Sequence, residues 1–90
     1  MTSIEGYRVE TNEGKTVGHV ARESELALVV ESGSWPRKRW RALPKQFADV
    51  DRERGSVVMT VSKTTLAASP ELKRDMPVDE DAVASWWALD

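Results

Sequence analysis

Hydrophobic and polar residues alternate in short runs over the first two thirds of the chain. An apolar residue at every second position is typical of a β-strand with one buried face. We therefore predict about six short strands, at residues 6–10, 16–22, 25–31 and 37–43, around residues 47–50, and at residues 56–61. Residues 25–31 carry apolar side chains on both faces, so we expect this strand to lie in the centre of the sheet.

Turn residues and one irregular spacing add two local predictions. Asn12 and Gly14 adopt positive φ readily, so a hairpin turn is expected between the first two strands. In the returning strand, Val17 and Val20 are three positions apart and Gly18 lies between them. This spacing breaks the two-residue repeat and predicts a β-bulge.

The hydrophobic repeat changes to a helical one after residue 61. Ser62 can cap a short helical turn, and residues 69–71, Ser-Pro-Glu, have the order of a second helix start. Asp79 can cap a last helix, whose apolar residues repeat at helical spacing: Ala82, Val83, Trp86, Trp87 and Leu89. The predicted fold is mainly β: a small antiparallel barrel of about six strands, closed or nearly closed, with short C-terminal helical segments.

Two motifs lie near the two ends of the strand-rich region. The first is Gly-Tyr-Arg-Val at residues 6–9, followed by Glu-Gly-Lys-Thr-Val-Gly-His-Val at residues 13–20. The second is Val-Ser-Lys-Thr-Thr-Leu at residues 61–66, followed by Ser69-Pro70. Between them lie Leu43-Pro44, Phe47, Val50 and Asp51. Together these motifs resemble the PRC-barrel family, the small β-barrel shared by the photosynthetic reaction centre H subunit and the ribosome maturation factor.

The resemblance extends over residues 4–72 and implies a fold rather than an activity. It implies a PRC-barrel-like domain at residues 1–72 and an acidic, Trp-containing helical extension at residues 73–90. The family has no common catalytic residues, and its members serve in electron-transfer complexes, in ribosome assembly and as small stand-alone proteins. With no transmembrane helix and no preceding second domain, the sequence is most similar to the stand-alone members.

The composition limits the catalytic and metal-binding chemistry that the chain can carry out. The 90 residues include no cysteine and one histidine, His19, which is expected to face solvent without a nucleophile beside it. Disulfides, thiolate metal sites and a cysteine nucleophile are therefore excluded. The glycines are scattered, and the carboxylates at residues 49–53 and 79–81 lack the spacing of a metal site. We predict no catalytic residue, no cofactor and no metal, and expect that the chain is not an enzyme.

Targeting signals are also lacking. The apolar runs are far shorter than the roughly 20 residues that a membrane-spanning helix needs. The first residues have neither the basic flank nor the apolar stretch of a signal peptide. We therefore expect a cytoplasmic protein without a membrane span.

Charge is distributed unevenly. The net charge of -2 combines 11 basic and 9 acidic residues in positions 1–70 with 2 basic and 6 acidic residues in positions 71–90. Five basic residues lie close to Trp35 and Trp40: Arg37, Lys38, Arg39, Arg41 and Lys45. Alternation along a strand places Arg37, Arg39 and Arg41 on one face. Three interpretations stay open: a nucleic-acid contact with a tryptophan stacked on a base, a contact with an acidic protein or with the acidic segment of this chain or a second copy, and a solvated strand face.

Trp86 and Trp87 are adjacent and therefore point about 100° apart on a helix. Either one covers the barrel while the other meets a partner, or both pack on the barrel. The sequence thus predicts a non-enzymatic protein-interaction or assembly module, expected to be a homodimer, with this helix and the basic strand as contact surfaces. The alternative is an RNA- or ribosome-associated factor that uses residues 37–45.

Overall fold

The structure is a computed structural model that describes residues 3–33 and 36–88. Its secondary structure is mainly β, as predicted, with two short helices and a short 3₁₀ turn. The strands are β1 (Arg8–Glu10), β2 (Thr16–Glu23), β3 (Ala27–Ser32), β4 (Arg39–Pro44), β5 (Ala48–Asp51), β6 (Ser56–Met59) and β7 (Glu71–Leu72). The helices are α1 (Lys63–Ala68) and α2 (Glu80–Trp86), and the 3₁₀ turn is Lys45–Phe47.

All seven strands form one sheet in the order β5-β6-β1-β2-β3-β4-β7. Neighbouring strands are antiparallel except β1 and β6, which are parallel, whereas the sequence predicted only antiparallel pairs. Among the described residues β5 and β7 are the two ends of the sheet and do not pair with each other, so a closed barrel is not confirmed. The sheet is nevertheless strongly curved. Only the 3 residues of the 3₁₀ turn connect β4, near one end, with β5 at the other, and they reach only about 10 Å.

The concave face of the curved sheet encloses the main core. Its fully or almost fully buried side chains come from five strands, from α1 and from the segment before β1: Ile4, Val9, Val20, Leu28, Val30, Leu43, Val57, Met59 and Leu66. Burial of each large apolar side chain contributes about 1.5–3 kcal/mol, so this cluster is the main source of stability. Alternating apolar positions of the predicted strands supply four of these side chains, Leu28, Val30, Val57 and Met59.

A second, smaller core lies on the opposite face of β3 and β4. Ala27 and Ala42 pack there against Val83 of α2, with Leu72 and Val78 at its border. Residues 27–30 are all buried, and β3 is paired on one side with β2 and on the other with β4. The prediction that this strand is central is confirmed.

Strand β2 contains the predicted bulge. Val9 lies opposite Gly18 and the next residue of β1 lies opposite Thr16, so Val17 is the extra residue. A second register shift, between Val20 and Arg22, occurs where β2 pairs with β3. Gly18 is required by close packing, because a Cβ atom there would lie 2.2 Å from the backbone oxygen of Glu31.

Two of the three predicted helix starts are present in the structure, and one is not. The Ser62 side chain accepts a hydrogen bond from the Thr65 amide at 3.1 Å, and Asp79 accepts one from the Ala82 amide at 3.1 Å, so both caps are as predicted. The prediction of a helix that begins at residues 69–71 is wrong. Ser69 ends α1 by donating its amide and hydroxyl to the Leu66 carbonyl, and the chain then enters β7.

The strand and helix ends also differ from the prediction. Arg37 precedes β4, which begins at Arg39, so only two arginines of the predicted row lie on the strand. Helix α2 ends at Trp86 because Ala88 has a positive φ of 55°, and Leu89 lies outside the described residues.

A matched pair of substitutions tests the placement of the core. Val50 and Val57 lie opposite each other on β5 and β6, but Val57 is fully buried and Val50 is 42% exposed. Val57→Ala should therefore lower the free energy of unfolding by about 2–3 kcal/mol, while Val50→Ala should change it by less than about 0.5 kcal/mol. Urea unfolding followed by circular dichroism measures both. Equal losses would contradict this core.

Candidate interaction surface

The basic row of β4 is occupied by contacts within the chain. Arg39 and Arg41 share one face of the strand, and both guanidinium groups bind the carboxylate of Glu71 on the adjacent strand β7. Arg41 Nη2 lies 3.0 Å from Glu71 Oε1. Arg41 also donates to the backbone oxygen of Ser69. Its side chain is only 15% exposed, whereas that of Arg39 is 58% exposed. Arg41 is therefore a structural residue that holds the chain where α1 ends and β7 begins.

The two lysines of the same region are also paired. Lys38 lies 2.9 Å from Glu31 on β3, and Lys45 lies 2.9 Å from Glu23 on β2. Arg37 makes no ion pair within the part of the chain that the structure describes, and Trp35 lies outside the described residues. Most of the positive charge that the sequence places at residues 37–45 is thus balanced by the protein's own carboxylates.

Glu31 is the centre of a polar cluster on the convex face of the sheet. Its carboxylate accepts a hydrogen bond from Trp40 Nε1 at 3.0 Å and binds Lys38. The hydrogen bond from Lys38 is the main cause that lowers the pKa of Glu31, with a smaller contribution from Trp40 and an opposing one from burial. The positive charge of Arg74 lowers this pKa further. Trp40 is therefore held edge-on to a carboxylate and is half-buried.

The two C-terminal tryptophans have different environments. Trp87 packs against Val83 and Phe47, with its ring centroid 5.6 Å from that of Phe47, and its Nε1 donates to the Ala42 carbonyl at 3.2 Å. Trp86 is 41% exposed and contacts the Trp87 ring edge-on at a centroid distance of 4.9 Å. One tryptophan anchors the helix to the sheet while the other remains accessible.

An apolar cleft of about 180 Å³ lies beside Trp86. It is formed by α2, β7, the end of α1 and β4, and its floor includes Ala42, Leu72 and Val83. Met76, in the segment between β7 and α2, also lines the cleft and is 43% exposed. We refer below to this feature as the Trp86 cleft. Trp86 was a candidate from the sequence; Met76 was missed, because a single methionine in a linker-like segment gives no periodic signal.

The segment that carries Met76 is attached to the sheet at both ends. Arg41 binds the Ser69 carbonyl before β7, and Arg22 on β2 donates to the Met76 carbonyl after it. Two arginines from neighbouring parts of the sheet thus hold the strand β7 and one wall of the Trp86 cleft in place.

Among the described residues, no cluster of three or more histidine or acidic side chains could hold a metal ion. His19 is exposed and lies between Arg8 and Glu31 in the register of the sheet, with no nucleophile opposite it. Within the same residues, the helices are too short and too polar to span a bilayer.

The sequence matches no known family model and no curated protein.

Replacing Arg41 and Arg39 one at a time tests which of the two side chains stabilises the fold. Arg41→Met removes the partner of the Ser69 carbonyl, which belongs to a residue only 3% exposed, and should cost about 1–3 kcal/mol of unfolding free energy. Arg39→Met removes only an exposed ion pair and should cost less than about 1 kcal/mol. Urea unfolding provides the comparison. A smaller loss for Arg41→Met than for Arg39→Met would contradict the assigned role.

The lowered pKa of Glu31 predicts a dependence on pH. Since the folded state holds this carboxyl ionised to lower pH than the unfolded state does, Glu31 stabilises the fold above its unfolded pKa and loses that effect as pH falls through its folded pKa. Lys38→Met should raise the pKa of Glu31 and reduce the loss of stability on acidification. Carbon-13 NMR titration of the Glu31 carboxyl measures the shift, and Lys45→Met, which affects Glu23 instead, is the control. An unchanged Glu31 titration in Lys38→Met would refute the assignment.

Proposed function

We propose that this protein is a non-enzymatic interaction module of PRC-barrel type, which binds a protein partner through the Trp86 cleft. The proposed family rests on the two sequence motifs that resemble the PRC-barrel family, and the strongly curved, mainly β sheet and the capped helix α1 after β6 are compatible with it. The binding role depends on one observation: Trp86 and Met76 are both more than two fifths exposed and line the same apolar cleft.

Exposed side chains of this kind are suited to binding. A tryptophan can bury about 150–250 Å² of surface, and methionine adapts its shape to different apolar partners. Tryptophan is also among the residues that contribute most to binding energy at protein interfaces. Because Trp87 and Val83 fix α2 to the sheet, Trp86 is presented on a rigid element and loses little conformational entropy on binding.

The contacts of the basic strand favour this proposal over binding of RNA. An RNA backbone would have to compete with Glu71, Glu31 and Glu23 for the cations of residues 38–45. Releasing Arg41 would in addition leave the buried Ser69 carbonyl without its partner. The RNA- or ribosome-associated alternative therefore has fewer free cations than the sequence suggested.

Affinity capture with matched variants tests the proposal. The purified wild-type protein, Trp86→Ala and Val50→Ala serve as baits in a lysate of the source cells, and bound proteins are identified by mass spectrometry. Wild type and Val50→Ala should retain the same partner, and Trp86→Ala should lose it, because Val50 is equally exposed but lies on β5, outside the cleft. Retention of the same proteins by all three baits, or of none, would count against the proposal.

Sedimentation velocity of the same three proteins tests the expected homodimer. A dimer that depends on the cleft should dissociate in Trp86→Ala and persist in Val50→Ala. Circular dichroism of each variant shows that it is folded. A monomer at all concentrations would remove self-association as the role of this surface.

A further inference from the structure

The C-terminal strap, which we define as residues 70–88, contributes little to the main core. Within it only Val83 is buried, and most of the other residues are exposed. The buried side chains of the main core come from the chain up to Leu66. Few buried apolar contacts are typical of a segment that opens locally while the rest of a protein stays folded. The strap can therefore open without loss of the main core.

Three arginines of the sheet bind the strap or the residue before it. Arg39 and Arg41 bind Glu71, Arg41 also binds the Ser69 carbonyl, and Arg22 donates to a backbone carbonyl of the strap. In the part of the chain that the structure describes, their guanidinium groups make no other ion pair or hydrogen bond, and the Nε atom of Arg22 is buried without a partner. When the strap opens, Arg22 and Arg39 lose their partners, and Arg41 keeps only the Ser69 carbonyl.

The sheet has little negative charge of its own to neutralise these arginines. Glu23 of β2 and Glu31 of β3 are paired with Lys45 and Lys38. The carboxylate that balances the arginines in the closed form comes from the strap itself. Opening therefore leaves a surface with net positive charge on this part of the sheet.

The same opening uncovers apolar surface next to the arginines. Ala27 and Ala42 are buried beneath Val83, and the Ala42 carbonyl accepts a hydrogen bond from Nε1 of Trp87. Because alanine side chains are small, a bulky apolar side chain can pack closely on them, as Val83 does. The strap thus shows what chemistry fits this surface: a carboxylate for the arginines and a bulky apolar side chain for the alanines.

We propose that the strap is an autoinhibitory segment, and that in the open form the uncovered surface binds an acidic segment of a partner protein. That segment places a carboxylate on the freed arginines and a bulky apolar side chain on the two alanines. This inference goes beyond the proposed function. The Trp86 cleft is formed by the strap together with β4, so it exists only in the closed form. The two sites therefore exclude each other, and a partner bound at one lowers the affinity of the other.

Hydrogen exchange followed by NMR tests the opening. The indole N–H of Trp87 reports detachment directly, because its hydrogen bond crosses from the strap to the Ala42 carbonyl of the sheet. We expect its protection to be at least about tenfold lower than that of the slowest amides of β3, with a smaller dependence on urea. Equal protection and equal urea dependence would show that the strap opens only when the whole protein unfolds, and would overturn the proposal.

A fluorescent peptide with the sequence of residues 69–88 tests the uncovered surface in the full-length protein. The peptide competes with the strap, so its apparent affinity is proportional to the open fraction. Val83→Ala weakens the closed form and should tighten peptide binding about five- to tenfold. Val57→Ala removes the same methyl groups from the main core and should leave the affinity unchanged. Fluorescence anisotropy measures binding, and circular dichroism shows that each variant is folded.

A second peptide tests the part played by the arginines. With Glu71→Gln in the peptide, binding to the Val83→Ala protein should weaken about three- to tenfold, because the neutral amide forms no ion pair with Arg39 and Arg41. Equal binding of the two peptides would show that the arginines do not select an acidic segment. That result would overturn the proposed chemistry of the partner.

The remaining outcomes are equally decisive. The same peptide affinity for wild type, Val83→Ala and Val57→Ala, or no binding to Val83→Ala at about 1 mM, would overturn the proposal. A dimer that the peptide dissociates would support it, with the strap of a second copy as the partner segment. The proposed function is tested separately by capture with Trp86→Ala, so failure of one proposal leaves the other standing.

Discussion

Strand β3 is buried on both faces, and this constraint determines the layout of the molecule. Its side chains contribute alternately to the main core on the concave face and to the smaller core on the convex face. A sheet that bears only one core needs no further layer, but apolar residues on both faces must both be removed from water. The C-terminal part of the chain, from β7 through α2, supplies the second cover. Without it, Ala27 and Ala42 would be exposed.

The covering layer is held by different interactions at its two ends. At its start, arginines of β2 and β4 bind backbone carbonyls and Glu71; at its end, Val83 and Trp87 pack on the sheet. The polar contacts are directional and fix the position of the segment, while the apolar contacts provide most of the stabilisation. The basic row is therefore a means of attaching the acidic C-terminal segment, and Trp86 is exposed because Trp87 occupies the inward direction.

The predictions that hold are those carried by local patterns. The two-sided hydrophobicity of residues 27–30, the spacing around Gly18 and the caps Ser62 and Asp79 are visible within a few residues of sequence, and the structure has them. The parallel pairing of β1 with β6 joins residues about fifty positions apart and leaves no local trace. Strand β7 has only 2 residues, too few for a periodic signal, and it forms because Glu71 meets arginines of β4. Similarly, Met76 gains significance only from the tertiary position of its segment.

The two ends of the sheet limit how this protein can associate. Exposed strand edges can recruit strands from other molecules, which leads to fibrils or to mispaired sheets. At one end, β7 offers a backbone of only 2 residues; at the other, β5 has 4 residues and carries Asp49 and Asp51 beside its one exposed valine. Short length and like charges are both known protections against growth by backbone pairing. Any complex that the protein forms is therefore expected to depend on side chains, which confers selectivity that strand addition does not.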